Sequence, residues 1–251
     1  FLKIVKSKYV SGIDTALSYT KPNKVLKKTN LKKKLITTKL PDIIHYKSSI
    51  ERKIFKIFES HLKSLNVEKI DSLLMHNTKI MFSKNGKIVH KTLKKLKKIY
   101  RIKKIGYSVY DLNEANFLIE NYSPEILQVP VNIFKRDFES LIKKNKNIFF
   151  QARSIFLQGQ LLNPSKKLLK NKKIKKLLFK FDKACHDLKI SKSKACIDYI
   201  RLHKNIDQII FSVRDLKEFE IIKKAFKEKI VFKKKFRVNN SISALLDPRK
   251  W

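Results

Sequence analysis

Four side chains dominate the chemistry this chain could perform: Asp14, Tyr19, Lys39 and His76. They are a carboxylate, a phenol, an amine and an imidazole, and each lies near the end of a short apolar run that reads as a strand. Asp14 and Tyr19 fall in IDTALSY (13–19), Lys39 closes LITTK (35–39), and His76 closes IDSLLMH (70–76). A phenol is a poor proton donor near neutral pH, because its ordinary pKa is about 10. An ammonium within hydrogen-bond range stabilises the phenolate and lowers that value by about one to three units. Lys39 beside Tyr19 would therefore make a general acid–base pair. Asp14 would keep the ammonium oriented and charged where an unpaired one is costly. A neighbouring imidazole, His76, would hydrogen-bond the oxygen on which charge develops.

Such residues meet only if successive parallel strands point their carboxyl ends at one place, as in a (β/α)₈ TIM barrel, whose active sites lie on that face. The remaining sequence fits this architecture. Strand candidates are SGIDT (11–15), KLITTK (34–39), DSLLMH (71–76), KKIGYSV (103–109), ILQVPV (126–131), IFFQARS (148–154) and DQIIFSV (207–213). Several are continuous apolar runs, as parallel strands buried on both faces require. Between them, Ile50, Ile54, Ile57, Phe58, His61, Leu62 and Leu65 trace one face of a helix. Segments 87–100, 111–121, 165–188, 191–203 and 215–227 are helical by the same spacing. Alternation of this kind argues for βαβ units with right-handed crossovers. The chain reads as one α/β barrel domain over 1–251, with an irregular, locally helical extension from 229 to 251. Seven strands are visible rather than eight, and the first ten residues read as the end of a helix. The expectation is a barrel lacking its first strand in this chain.

The formal charge is +39. Such a balance ordinarily suggests a polyanionic partner, but here it is nearly all lysine and runs along the whole length, as in KKNKN (143–147) and KKAFKEK (223–229). Arginine, the better bidentate phosphate ligand, is scarce. The reading is a solvated basic surface with no specific nucleic-acid partner. The alternative class, an RNA- or membrane-associated basic protein, would betray itself by steep salt dependence. No apolar run is long enough for a membrane span. Cys185 and Cys196 lack metal-ligand spacing and read as reduced, buried thiols of a cytoplasmic protein. Nothing in the pattern points to one oligomeric state.

Beyond residue chemistry, the strings resemble the aldo-keto reductase family, in particular its bacterial branch associated with surface-polysaccharide biosynthesis. IDTALSY resembles the family's Asp-Thr-Ala-x-x-Tyr element, ITTKLP (36–41) its lysine strand and LLMHN (73–77) its histidine strand. KKIGYSVYD (103–111) resembles the Gly-x-Ser strand, and QVPVNIF (128–134), ARSIFLQGQLL (152–162) and IIFSVRDLKEFE (209–220) resemble the segments that follow. The resemblance implies an NADP(H)-dependent oxidoreductase, with NAD(H) as the alternative cofactor, interconverting a carbonyl and an alcohol on a small polar or sugar-like substrate. It assigns the catalytic roles to Asp14, Tyr19, Lys39 and His76, and no metal.

The same resemblance places Ser108 and Gln128 against the nicotinamide carboxamide and Arg153 where many members stack a Tyr on the ring. Ser154, Leu157 and Gln158 would line the pyrophosphate side. Ser212 and Arg214 would meet the phosphates, Arg214 favouring an adenosine 2′-phosphate, and Glu218 would stand near the adenine. The chain departs from the pattern at Val109, a frequent Asn, and after Glu218, where Ile221 and Ile222 replace an Asn. The expected lack of the first strand, whose loop would help form the site and close the barrel, keeps a second reading open: a catalytically inactive binding or regulatory protein on the same scaffold.

Overall fold

The computed structural model describes residues 2–31, 33–43, 49–236, 238, 242 and 246, so most of the expected extension beyond 236 lies outside the described residues. The chain divides into two compact units, Phe1–Gln128 with Asn147–Phe149, and Val129–Lys146 with Phe150–Trp251.

The first unit holds strands β1 (Gly12–Asp14), β2 (Leu35–Leu40), β3 (Ser72–Met75) and β4 (Lys104–Ser108), and the start of β5 (Ile126–Pro130). Each pairs in parallel with the next in chain order. Asp14 stands opposite Thr37, Lys39 opposite Leu74, Met75 opposite Tyr107, and Ser108 opposite Gln128. Helices α1 (Leu2–Lys6), α2 (Thr20–Leu26), α3 (Ile50–Leu65), α4 (Gly86–Ile99) and α5 (Leu112–Tyr122) fall before and between these strands. Parallel strands demand such crossovers. The apolar positions of α3 recur at helical spacing and bury Ile54, Phe58, His61, Leu62 and Leu65. Helix α5 starts where Asp111 accepts the Glu114 N–H at 3.0 Å while the Glu114 carboxylate reaches back to the Tyr110 N–H at 2.6 Å.

The pleat sorts the strand residues. In β2, Thr38 is fully buried and its hydroxyl bonds His61 on α3. Its neighbours Thr37 and Lys39 therefore face away from that helix. In β4 the Tyr107 hydroxyl meets His90 Nδ1 on α4 at 3.0 Å, which turns Gly106 and Ser108 the other way. Gly106 is obligatory: a Cβ there would lie 1.8 Å from the backbone oxygen of Ile126 on β5.

The second unit carries the end of β5 and the parallel pair β6 (Phe149–Arg153) and β7 (Gln208–Ile209), with Ala152 opposite Ile209. Around them are α6 (Glu139–Lys144), α7 (Lys166–Leu169), α8 (Lys172–Asp187), α9 (Lys192–Arg201) and α10 (Leu216–Lys227). Two expectations need correction. The helix expected over 165–188 is two helices, because the Asn171 side chain accepts the N–H groups of Lys173 and Ile174 at 3.0 and 3.2 Å and starts a new helix. The strand expected over 207–213 pairs only at Gln208–Ile209, with two further bonds, from the Asp207 N–H to Phe150 at 2.9 Å and from the Ile210 N–H to Ala152 at 2.8 Å. Phe211, Ser212 and Val213 leave the ladder. Helices α2 and α6 carried no spacing signal that sequence reading used.

Candidate active site

The first unit gathers the four residues singled out in the sequence. Strand β1 ends at Asp14, and the chain then turns over the end of β2. The Thr15 N–H donates to Thr37 at 2.9 Å and the Leu17 N–H to Lys39 at 3.3 Å. Asn23 locks this turn. Its carbonyl oxygen accepts the Thr15 hydroxyl at 2.6 Å, and its amide donates to the Ala16 carbonyl at 3.0 Å. The Tyr19 N–H closes back on Ala16 at 3.0 Å, and Tyr19 caps α2. The phenol is thus carried on a short, internally bonded turn rather than a loose loop.

Lys39 is 2% exposed, and its ammonium sits 2.5 Å from Asp14 Oδ2. It also donates to the Thr15 carbonyl at 3.3 Å. The Tyr19 ring centroid is 5.9 Å from Lys39 Nζ and 6.1 Å from the His76 ring, which meets it edge-on at 89°. His76 directly follows β3, held by its N–H to the Leu40 carbonyl at 3.0 Å. Carboxylate, ammonium, phenol and imidazole therefore occupy one neighbourhood, with Tyr19 40% exposed above a buried ion pair.

Sequence reasoning missed how the set continues. Gln128 donates its amide to Asp14 Oδ1 at 3.0 Å, and its own Oε1 accepts the Ser108 hydroxyl at 3.4 Å. Ser108 and Gln128 are both buried. The network Lys39–Asp14–Gln128–Ser108 thereby ties β1 and β2 to β4 and β5. A glutamine within the apolar run ILQVPV was the available signal. Thr15 and Asn23, which set the turn, were also missed; their polar types gave no spacing cue.

The cofactor candidates of the second unit fall in two clusters. Arg153 ends β6, its guanidinium 3.3 Å from the Ser154 hydroxyl, and the Ser154 carbonyl accepts the Asn132 amide at 3.2 Å. Ser154, Leu157 and Gln158 have φ of 57°, 49° and 53°, followed by Gly159 at 84°. Three non-glycine residues in the left-handed region within five positions is a costly arrangement, of the kind found at ligand-binding turns. Leu157 is buried as a whole residue, so it shapes the turn from beneath. In the other cluster Ser212 is exposed, and Arg214 is 83% exposed and paired with Glu218 at 2.5 Å. The Arg214 N–H and Nε both donate to that carboxylate, at 2.8 and 2.6 Å. This pairing holds Glu218 below the usual carboxylate range. Both clusters follow the carboxyl ends of the paired strands β6 and β7.

Val109 is fully buried. Of the two isoleucines after Glu218, Ile222 is core and Ile221 is 46% exposed. No group of three or more His, Cys, Asp or Glu suited to a metal occurs among the described residues. No helix among them is long and apolar enough to cross a membrane.

The model of the aldo/keto reductase family matches residues 7–239. Among solved structures, the chain is similar to a glycerol dehydrogenase from Gluconobacter oxydans at 17% identity and TM-score 0.71, over 98% of this chain and 82% of that one. It is similar to the holo form of an aldo-keto reductase from Bacillus halodurans at 15% identity and TM-score 0.72, over 97% and 83%. It also resembles an Asp-to-Ala mutant of Gox0644 in complex with NADPH, at 16% identity and TM-score 0.62, over 98% and 83%. At these identities the structures establish the fold. No curated protein matches the sequence.

Proposed function

The chain belongs to the aldo/keto reductase family, and we propose from that premise that it is an NADP(H)-dependent oxidoreductase reducing a carbonyl on a small polar or sugar-like substrate. The observation that carries the reading is the meeting in the first unit of Tyr19 with Lys39 and His76, over an ion pair between Lys39 and Asp14. Tyr19 gives its proton to the substrate oxygen during reduction and removes it during oxidation. Lys39 stabilises the phenolate that remains, and Asp14 fixes the ammonium in a site too buried to hold it alone. His76 donates to the same oxygen, orienting it and offsetting the charge that develops there.

The residues present suit a nicotinamide dinucleotide, which would supply the hydride. In the second unit, the turn 154–159 contains left-handed backbone of the type that cradles anionic groups, with Ser154, Gln158 and Gly159 reaching the surface. Arg214 is exposed, and although its Nε and one terminal nitrogen are held by Glu218, the rest of the guanidinium can reach a 2′-phosphate; this supports NADPH over NADH. In the first unit, Ser108 and Gln128 provide a buried hydroxyl and amide for a carboxamide. The relative Gox0644 binds NADPH.

The test is NADPH oxidation with a panel of aldehydes and sugar-derived carbonyls, on wild type and Tyr19→Phe. We expect turnover that the substitution reduces at least about a hundredfold, at the low end of general acid–base contributions, with cofactor fluorescence quenching retained. A second reading, cofactor binding without turnover, rests on Gln128 already being engaged by Asp14 and Ser108. NADPH binding with no turnover of any carbonyl would favour it. Absence of NADPH binding overturns both.

A further inference from the structure

Two stretches of this chain are similarly rich in positive charge but differ in how it is matched. Residues 87–104 carry a net +9 over 18 residues, yet Lys95, Lys97 and Lys103 there pair with Glu51, Glu125 and Asp71. Residues 166–183, which build α7 and α8 in the second unit, contain nine lysines, no arginine and one acid, a net +8 over 18 residues. The chain average of +39 over 251 residues would give about +3. All nine lysines are exposed, and none makes an ion pair among the described residues. The single acid, Asp182, is engaged by Lys192 at 3.4 Å. Helix α8 buries Ile174, Leu177, Leu178 and Phe181 within its unit. On its outer side stands Phe179, 68% exposed, the most exposed large apolar side chain among the described residues. Lys172, Lys175, Lys176 and Lys183 all lie within about 60° of Phe179 around the helix, as does Asp182, whose charge is met by Lys192. The result is a stripe about 17 Å long that contains an unprotected aromatic ring.

We propose that this face of α7 and α8 docks the protein on an anionic phospholipid surface, the lysines reaching the headgroups and Phe179 entering the interface. Phe179 leaving water is favourable, and a ring surrounded by unpaired ammonium groups is complementary to a surface that is anionic at its face and apolar beneath. A bilayer leaflet with acidic headgroups has both properties, and juxtaposed lysines gain from its surface potential additively. Single-stranded nucleic acid suits the face less well. Base stacking along a strand uses several rings spaced on a groove, and this stripe presents one. Arginine, preferred for phosphate forks, is absent from it. The apolar side of α8 is already used inside its unit, so the contact is shallow, peripheral and reversible rather than an embedded amphipathic helix. This reading is independent of the oxidoreductase assignment.

The experiment is co-sedimentation of the full chain with phosphatidylcholine vesicles, with and without phosphatidylserine, at low and raised salt. Binding is expected only to the phosphatidylserine vesicles and is loosened by salt. At about fivefold per lysine, the triple variant K172E/K176E/K183E should bind at least about a hundredfold more weakly. Phe179→Ser should lose about tenfold, for an aromatic ring no longer leaving water. The variant K91E/K94E/K98E carries the same net charge on α4 and should bind within about fivefold of wild type. Circular dichroism checks folding, and K172Q/K176Q/K183Q serves if the charge reversal perturbs it. Equal losses from the two charge-matched triples would overturn the proposal, since net charge alone would then account for binding. Binding to phosphatidylcholine alone, or tighter binding to an oligouridylate through the same lysines, would also overturn it.

Discussion

Replacing Asp14 by Asn is the sharpest probe of the buried ion pair, because it removes the charge while preserving shape and the acceptor for Gln128. Lys39 is 2% exposed and Asp14 16%, so the ammonium left behind cannot turn to water without opening the β1–β2 turn. Breaking a buried pair by removing one partner costs about 3–5 kcal/mol. Lys39 could instead shed its proton, and from an ordinary pKa of about 10.4 that route caps the cost near 4.6 kcal/mol at pH 7. The Thr15 carbonyl at 3.3 Å still accepts from the amine, which places the expectation at the low end, about 3 kcal/mol. Lys39→Met should cost about 2 kcal/mol, since Asp14 keeps the Gln128 amide and partial access to water. The double variant should lie close to Lys39→Met, giving a coupling of about 3 kcal/mol in a double-mutant cycle. Urea unfolding at neutral pH reads all four corners, provided the denaturant slope stays constant. Asp14→Asn within about 1 kcal/mol of wild type would refute the reasoning, because Lys39 would then be neutral or solvated in the folded protein.

Other expectations follow from particular contacts. Burial lowers the His61 pKa from 6.5 to about 4, so the unfolded chain binds the proton first as pH falls. Stability should therefore drop between those values, by about 3 kcal/mol when complete, and His61→Gln should remove that part of the urea-midpoint slope. Gly106→Ala places a methyl against the Ile126 carbonyl of the next strand, and should lower the urea midpoint by the equivalent of at least about 2 kcal/mol. Arg214→Ala should raise KM for NADPH about 10- to 100-fold, the worth of a charge-assisted bond, while leaving KM for NADH nearly unchanged; equal effects on both would exclude a 2′-phosphate role.

Much of this protein was legible in its residues, and the divide is physical. Periodicity is local, so apolar runs at strand spacing and the i, i+3, i+4 recurrence of Ile54, Phe58 and Leu62 announced parallel strands alternating with helices. Short polar signals decided finer points, such as Asn171 splitting one expected helix into two. Asp14, Tyr19, Lys39 and His76 could be picked out by type and by position at strand ends, and the structure brings them together. No linear pattern could show that Gln128 reaches back 114 positions to the same carboxylate, because that bond depends on the pleat turning both side chains to one face of a sheet curved enough to bring β1 and β5 within reach. The turn fixed by Thr15 and Asn23, the left-handed backbone at 154–159 and the exposure of Phe179 are of the same kind. Each depends on direction and burial in three dimensions, which composition and spacing do not encode.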